Sequence, residues 1–234
     1  MTVKIAYCFL LYDQIIHNEI WEKYFNNNQT YNIYTHIKTV NDNTQEWVIK
    51  NRIQTIDTEW CNISLVYAFI NLLKEALKDK DNKYFIFLSG ECIPLYNYTY
   101  IYKNITANKK SIMNYWKRSS GFYKASQWMI LTRKHAKILT KMNKDFINEY
   151  EEDFKDCPDE YYPINWFIKS NLKNEIKNKV TTYVTWYNEN ASGPSRLNYP
   201  QMLKYKNEIK ESGALFARKF NKKAARNLYN NLIP

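Results

Sequence analysis

Two adjacent carboxylates, Asp159 and Glu160, stand in the stretch DCPDEYYPINWF between a proline and a run of aromatics. Tyr161, Ile164, Ile168 and Leu172 recur at helical spacing behind them, so both acids fall in or just before the first turn of a helix. A helix N-terminus favours negative charge, which keeps a carboxylate ionised, and ionised is the state a general base requires. The same placement describes an ordinary helix start with an acidic first turn, and the residues alone leave both readings open. A second group lies in SGALFARKFNKKAARNLY, where Arg218 and Lys219 are flanked by Phe216 and Phe220. Rings on both sides should anchor that turn in the core, and anchored cations can clamp a diphosphate. Lys222, Lys223 and Arg226 read as the solvated face of a basic C-terminal helix over about residues 214–232. A third stretch, FLSGECIPL, places Ser89, Gly90, Glu91 and Cys92 just past a buried strand, where open α/β sheets bind ligands. It reads equally as a strand-to-loop turn finished by Pro94.

Other chemistries are excluded by what the chain lacks. With only four glycines, neither GxGxxG nor GxxxxGK[ST] can be written anywhere, which removes the commonest nucleotide-binding α/β classes. His17, His36 and His135 are dispersed, and none pairs with Cys or a carboxylate at metal-ligand spacing. The one literal DxD, Asp79-Lys80-Asp81, precedes a strand instead of following one and reads as a helix end. Cys8, Cys61, Cys92 and Cys157 are far apart with no CxxC pair, so reduced thiols are expected.

The elements that must carry these residues alternate. Val3 to Tyr12 and Lys83 to Ser89 are continuous apolar runs expected of strands buried on both faces. Tyr31 to Ile37, Ser126 to Thr132 and Val180 to Trp186 read as further strands. Helices are expected over DQIIHNEIWEKYF, over Ser64 to Asp79 with Ser64 as N-cap, and over RKHAKILTKM. The pattern predicts an α/β fold with a mostly parallel central sheet flanked by helices. A chain of 234 residues, 45% hydrophobic, fits one domain spanning 1–234. The net charge of +11 raises the question of nucleic acid, but no nucleic-acid motif accompanies it. No run approaches the ~18 apolar residues of a membrane span. The short apolar N-terminus ends at Asp13 without a cleavage site, so a cytoplasmic protein is expected.

Taken in order, IAYCFLLYD, TEWCNISLVYAFINLLKEAL, KYFIFLSGECIPL, KASQWMILTRKHAKIL, CPDEYYPINWF, VTTYVTWYNENASGPSR and SGALFARKF resemble the core-2/I-branching glycosyltransferase family across about residues 3–221. The resemblance implies a GT-A-like fold, a UDP-sugar donor, a glycan or glycoprotein acceptor, and an inverting displacement that needs no metal cofactor. It implies that Glu160, the Glu of the PDE motif, is the base, and that Arg218 and Lys219 of ARKF hold the leaving diphosphate with help from Arg196. It sets Trp60 and Tyr7 on the donor side, and Asp159, Ser89, Glu91, Trp128 and Trp186 among substrate contacts, with Ser126 and Gln127 bordering the acceptor cleft. GlcNAc is the sugar implied first, then xylose or glucose. Three departures stand out. Cys92 occupies the position of the Asp in LSGxD, with Glu91 one residue early; Lys38 replaces an Asp after the second strand; and no membrane anchor or stem is seen.

Overall fold

The run KIAYCFLL is apolar throughout because it is covered on both faces. It forms β1 (Lys4–Leu11), from which Ile5, Tyr7 and Phe9 enter one core and Ala6 and Cys8 another. The computed structural model describes residues 2–26, 29–186, 191 and 193–232, so residues 187–190 and 192 of the stretch VTTYVTWYNENASGPSR lie outside the described residues. After β1 come α1 (Asn18–Phe25), β2 (Tyr31–Ile37), α2 (Glu46–Lys50), α3 (Ile63–Ala76), β3 (Asn82–Ser89) and β4 (Ile93–Pro94). Then follow α4 (Tyr98–Ala107), β5 (Ser111–Met113), β6 (Tyr115–Lys117), β7 (Tyr123–Ala125), β8 (Ile130–Thr132), α5 (Arg133–Leu139) and α6 (Lys144–Glu149). The chain continues through α7 (Tyr162–Lys169), β9 (Ile176–Asn178), β10 (Thr182–Tyr183), α8 (Tyr199–Glu211), β11 (Phe216–Ala217) and α9 (Lys222–Leu232).

A six-stranded sheet has the order β2-β1-β3-β8-β5-β9. β1 runs parallel to β2 and β3, β9 runs parallel to β5, and β8 is antiparallel to both its neighbours. The sheet is therefore mixed and largely parallel. Phe69 of α3, Phe87 of β3 and Phe167 of α7 fill the core on one face; Tyr7, Trp21 of α1 and Ile101 of α4 fill the other. A small sheet β10-β11-β4 and the hairpin β6-β7 stand apart from the main sheet. Met202 of α8 and Leu228 of α9 close a third core around Phe220. Where β3 ends, a Cβ on Gly90 would meet the Gln14 carbonyl oxygen at 2.2 Å, so only glycine permits that approach.

Several sequence expectations shift in detail. Asn62, not Ser64, caps α3: its side chain accepts from the Ser64 N–H at 2.9 Å. The strand expected from Ser126 begins only at Ile130, because the Ser126 hydroxyl accepts from the Trp128 N–H and turns the chain there. The strand expected over Val180 to Trp186 shortens to Thr182–Tyr183. The basic helix starts at Lys222, where the Asn221 side chain accepts from the Ala224 N–H. Arg218 and Lys219 thus lie in the connection between β11 and α9 and not on a helix. Asp79 behaves as a helix end, accepting from the Asp81 N–H and pairing with Lys4 at 3.0 Å.

Candidate active site

Asp159 and Glu160 sit in a single 3-10 turn, Pro158–Glu160, that leads into α7. The Glu160 N–H donates to the Cys157 carbonyl at 2.9 Å and the Tyr161 N–H to the Pro158 carbonyl at 3.0 Å. The turn is anchored from several sides. Tyr161 stacks on Phe154, and the Tyr162 hydroxyl of α7 donates to the Ile147 carbonyl at 2.7 Å. Cys157 forms a disulfide with Cys61, next to the Asn62 cap of α3. This pair corrects the expectation of reduced thiols: two residues 96 positions apart are brought together where α3 packs against the turn. Cys8 and Cys92 remain free and buried. Both half-cystines adopt left-handed backbone, with φ of 53° at Cys61 and 63° at Cys157. Such positions cost about 1–3 kcal/mol each and persist where the surroundings hold them.

The two acids differ in setting. Asp159 is 3% exposed, and its Oδ1 has no hydrogen-bond partner. Burial, reinforced by the neighbouring Glu160 charge, pushes its carboxyl up to about 7, against the pull of its own backbone N–H and of Lys124. Glu160 is half-buried and forms an ion pair through Oε2 with Lys124 Nζ at 2.8 Å.

A cleft of about 1170 Å³ joins this turn to the β11–α9 connection, and Asp159, Glu160, Lys124, Arg218 and Lys219 all line it. The Arg218 guanidinium lies over the Trp128 ring, 4.8 Å from its centroid. Arg218 Nε makes no hydrogen bond, and neither Arg218 nor Lys219 has an ion-pair partner among the described residues. Burial lowers the proton affinity of both cations, Arg218 and Arg196 adding to the effect at Lys219. Glu91 offsets this only in part, so both lie where an added anion would relieve unfavourable charge.

The structure does not bring together every residue the sequence suggested. Tyr7 is fully buried on the α1 side of the sheet with its hydroxyl paired to Tyr24 at 2.7 Å, so it is a core residue and not a donor contact. Ser89 also fails to reach the cleft: its hydroxyl is 3.4 Å from Cys92 Sγ and accepts from the Glu91 N–H, closing the turn after β3. Glu91 forms an ion pair with Arg196, whose guanidinium also donates to the Phe220 carbonyl. Arg196 is thereby engaged with protein instead of lining the cleft beside Arg218. Trp128 is 5% exposed and serves as the floor beneath Arg218. Trp60, 69% exposed, and Trp186, 49% exposed, do line the cleft, as do Ser126 and Gln127. Lys38 is exposed, with its ammonium over Tyr12.

Sequence reasoning missed three contributors. Trp116 and Lys124 are cross-strand partners on the β6-β7 hairpin and both line the cleft. Strands of three residues are too short for alternation to be legible, and no spacing links Lys124 to Glu160. The Cys61–Cys157 pair had only two lone cysteines as its signal. Among the described residues, no group of three His, Cys, Asp or Glu side chains is placed to hold a metal ion, and no helix is long and apolar enough to cross a membrane.

Glycosyltransferase BC10 of Oryza sativa subsp. japonica is 23% identical over 232 residues, covering 79% of this chain and 58% of the rice protein. The chain therefore spans less than two thirds of that relative's length. A crystal structure of the galactosyltransferase LgtC in complex with donor and acceptor sugar analogs matches with a TM-score of 0.50 at 8% identity, covering 96% of this chain and 95% of that one. At that identity the likeness is one of fold, and the fold is a GT-A-like α/β architecture with a mixed, largely parallel sheet. A profile described as Core-2/I-Branching enzyme matches residues 5–121, from β1 to the hairpin that carries Trp116. The chain belongs to the core-2/I-branching enzyme family.

Proposed function

We propose that this chain is a single-domain, inverting glycosyltransferase that moves a sugar from a UDP-sugar to a hydroxyl of a glycan or glycoprotein, without a metal, using Glu160 as general base. The observation that carries this reading is one cleft lined by both a carboxylate on a fixed turn and two cations without ion-pair partners among the described residues. Glu160 takes the proton of the acceptor hydroxyl as its oxygen attacks the anomeric carbon. The bond from that carbon to the diphosphate oxygen breaks on the opposite face, and its electron pair leaves with UDP. Negative charge then develops on the phosphate oxygens. Arg218 and Lys219 are set to stabilise it in a partly dry site, where such contacts exceed their worth in water.

Arg218 is held over Trp128 and has its Nε unused, as a cation awaiting an anion should be. Trp60 and Trp186 offer exposed rings on which sugar faces can stack. Arg196 adds positive potential around Arg218 and Lys219, while its ion-pair partner Glu91 acts there in the opposite and larger sense. Family membership favours GlcNAc as the sugar, with xylose or glucose next. The cytoplasmic setting expected from the sequence stands against the Cys61–Cys157 disulfide, which persists where thiols are oxidised.

The test is UDP release from a panel of UDP-sugars in EDTA with saccharide and glycopeptide acceptors, comparing wild type with Glu160→Gln. Turnover that survives EDTA and falls by about 10²–10⁴ in the variant is expected. UDP binding without turnover for any donor would indicate a sugar-binding module of the same fold. Full activity in Glu160→Gln would remove the base assignment.

A further inference from the structure

We infer that Lys124 is a positioning residue for the reaction, holding the Glu160 carboxylate by one oxygen so that the other is presented to the acceptor hydroxyl; this rests on the reading of Glu160 as the base. Lys124 Nζ stands 2.8 Å from Glu160 Oε2, and Oε1 has no partner among the described residues. Both side chains are about a quarter exposed, 26% and 27%, so the pair is neither a freely solvated surface contact nor a sealed core pair. An exposed pair would fix little. This one is fixed from both ends.

The hairpin that carries Lys124 is locked to the helix that follows Glu160. The Asn165 side chain of α7 accepts from the Tyr123 N–H at 3.1 Å and donates to the Tyr123 carbonyl at 2.7 Å and to the Tyr161 carbonyl at 2.8 Å. One side chain thus joins the residue before Lys124 to the residue after Glu160. Lys173 donates to the Tyr123 hydroxyl at 2.6 Å and holds the same strand from outside. The Lys124 ammonium also lies 5.5 Å from the Tyr161 ring centroid, which leaves the lysine little freedom to swing away. At the other end, the Cys61–Cys157 disulfide fixes the start of the turn. A carboxylate on a flexible side chain loses rate when its oxygen wanders by an ångström, and the lysine removes that freedom.

Charge supports the same role. Asp159 adjoins Glu160 and is buried, so two carboxyls share one short turn. The charged groups that line the cleft with Glu160 are Asp159 beside it, Lys124 from the hairpin, Glu208 and Glu211 of α8, and Arg218 and Lys219. Of these only Lys124 is in ion-pair contact. Lys124 also opposes the rise in proton affinity that burial and the Glu160 charge impose on Asp159.

The experiment compares Lys124→Met and Lys124→Arg with wild type and Glu160→Gln, measuring kcat and KM separately and UDP affinity by calorimetry. Lys124→Met is expected to lower kcat about 10- to 100-fold and to leave UDP affinity unchanged. Lys124→Arg should recover most of the rate, which a merely structural role would not predict for so different a head group. If Glu160→Gln is inactive but Lys124→Met keeps the wild-type kcat, the base stands and the positioning role is overturned. Weakened UDP binding in Lys124→Met would also overturn it, by making Lys124 a donor contact. If Glu160→Gln keeps full turnover, the reading of the base fails and the role of Lys124 falls with it.

Discussion

The two walls of the cleft handle charge in opposite ways. On the wall built by the β11–α9 connection, Arg218 and Lys219 are half-buried, and no carboxylate pairs with them among the described residues. On the wall built by the turn before α7, Glu160 already has Lys124, and the turn is tied down by a disulfide and by Asn165. A cation left without a partner at the cost of desolvation is poised to bind an anion. A carboxylate held by a single ion pair is kept in place with one oxygen to spare. The difference fits the proposed division of work, in which one wall binds the departing diphosphate and the other takes a proton from the incoming hydroxyl.

If that division is right, damage to the two walls should look different in a kinetic experiment. The largest effect short of removing the base itself belongs to Arg218→Ala. Loss of a preorganised cation should cost on the order of a hundredfold in kcat/KM, with UDP affinity falling as well. Glu91→Gln releases Arg196 and should leave much of that affinity in place, because Arg196 reaches the site only through its field.

A middle-sized effect is expected from opening the disulfide with dithiothreitol or by Cys61→Ser with Cys157→Ser. The bridge closes a loop with a sequence separation of 96, and its loss should lower stability by about 2–4 kcal/mol, read as an earlier denaturant midpoint. Because it ties the turn of Glu160 and not the cationic wall, kcat should fall while UDP affinity holds. Equal loss of both would contradict the division.

The effect that reaches stability alone and not the walls of the cleft concerns Asp159 and pH. Its carboxyl is pushed up to about 7 in the fold, while an unfolded Asp titrates near 3.9. Between those values the folded state binds the extra proton, so this group's contribution to stability is greatest at low pH and is lost as pH rises towards 7. Asp159→Asn removes that dependence. Relative to wild type its melting temperature should be higher at pH 8, and the gap should narrow at pH 5. A gap that widens on acidification would reverse the sign of the argument.

The parts of the molecule legible in the sequence are those where neighbours along the chain settle the structure. β1 and β3 were readable because unbroken apolar runs need cover on both faces, and α3 because Leu65, Phe69, Leu72, Leu73 and Leu77 recur at helical spacing. Glu160 and the pair Arg218 and Lys219 were readable as candidates because the motifs around them are local. What failed depends on distant partners. Tyr7 looked available until Tyr24 took its hydroxyl, and Arg196 looked free until Glu91 took its charge. Cys61 and Cys157 meet only when α3 packs against the turn, and Lys124 meets Glu160 only because Asn165 ties the hairpin to α7. Local periodicity carries no trace of such contacts.

The decisive measurement is the affinity of UDP in EDTA for wild type, Arg218→Ala and Glu160→Gln, by calorimetry, with turnover followed on the same preparations. Wild type should bind UDP without metal, Arg218→Ala should lose at least about tenfold in affinity, and Glu160→Gln should bind as wild type does while turning nothing over. UDP binding that appears only when Mn²⁺ is added, or that is the same in Arg218→Ala, would contradict the assignment of the diphosphate to the unpaired cations.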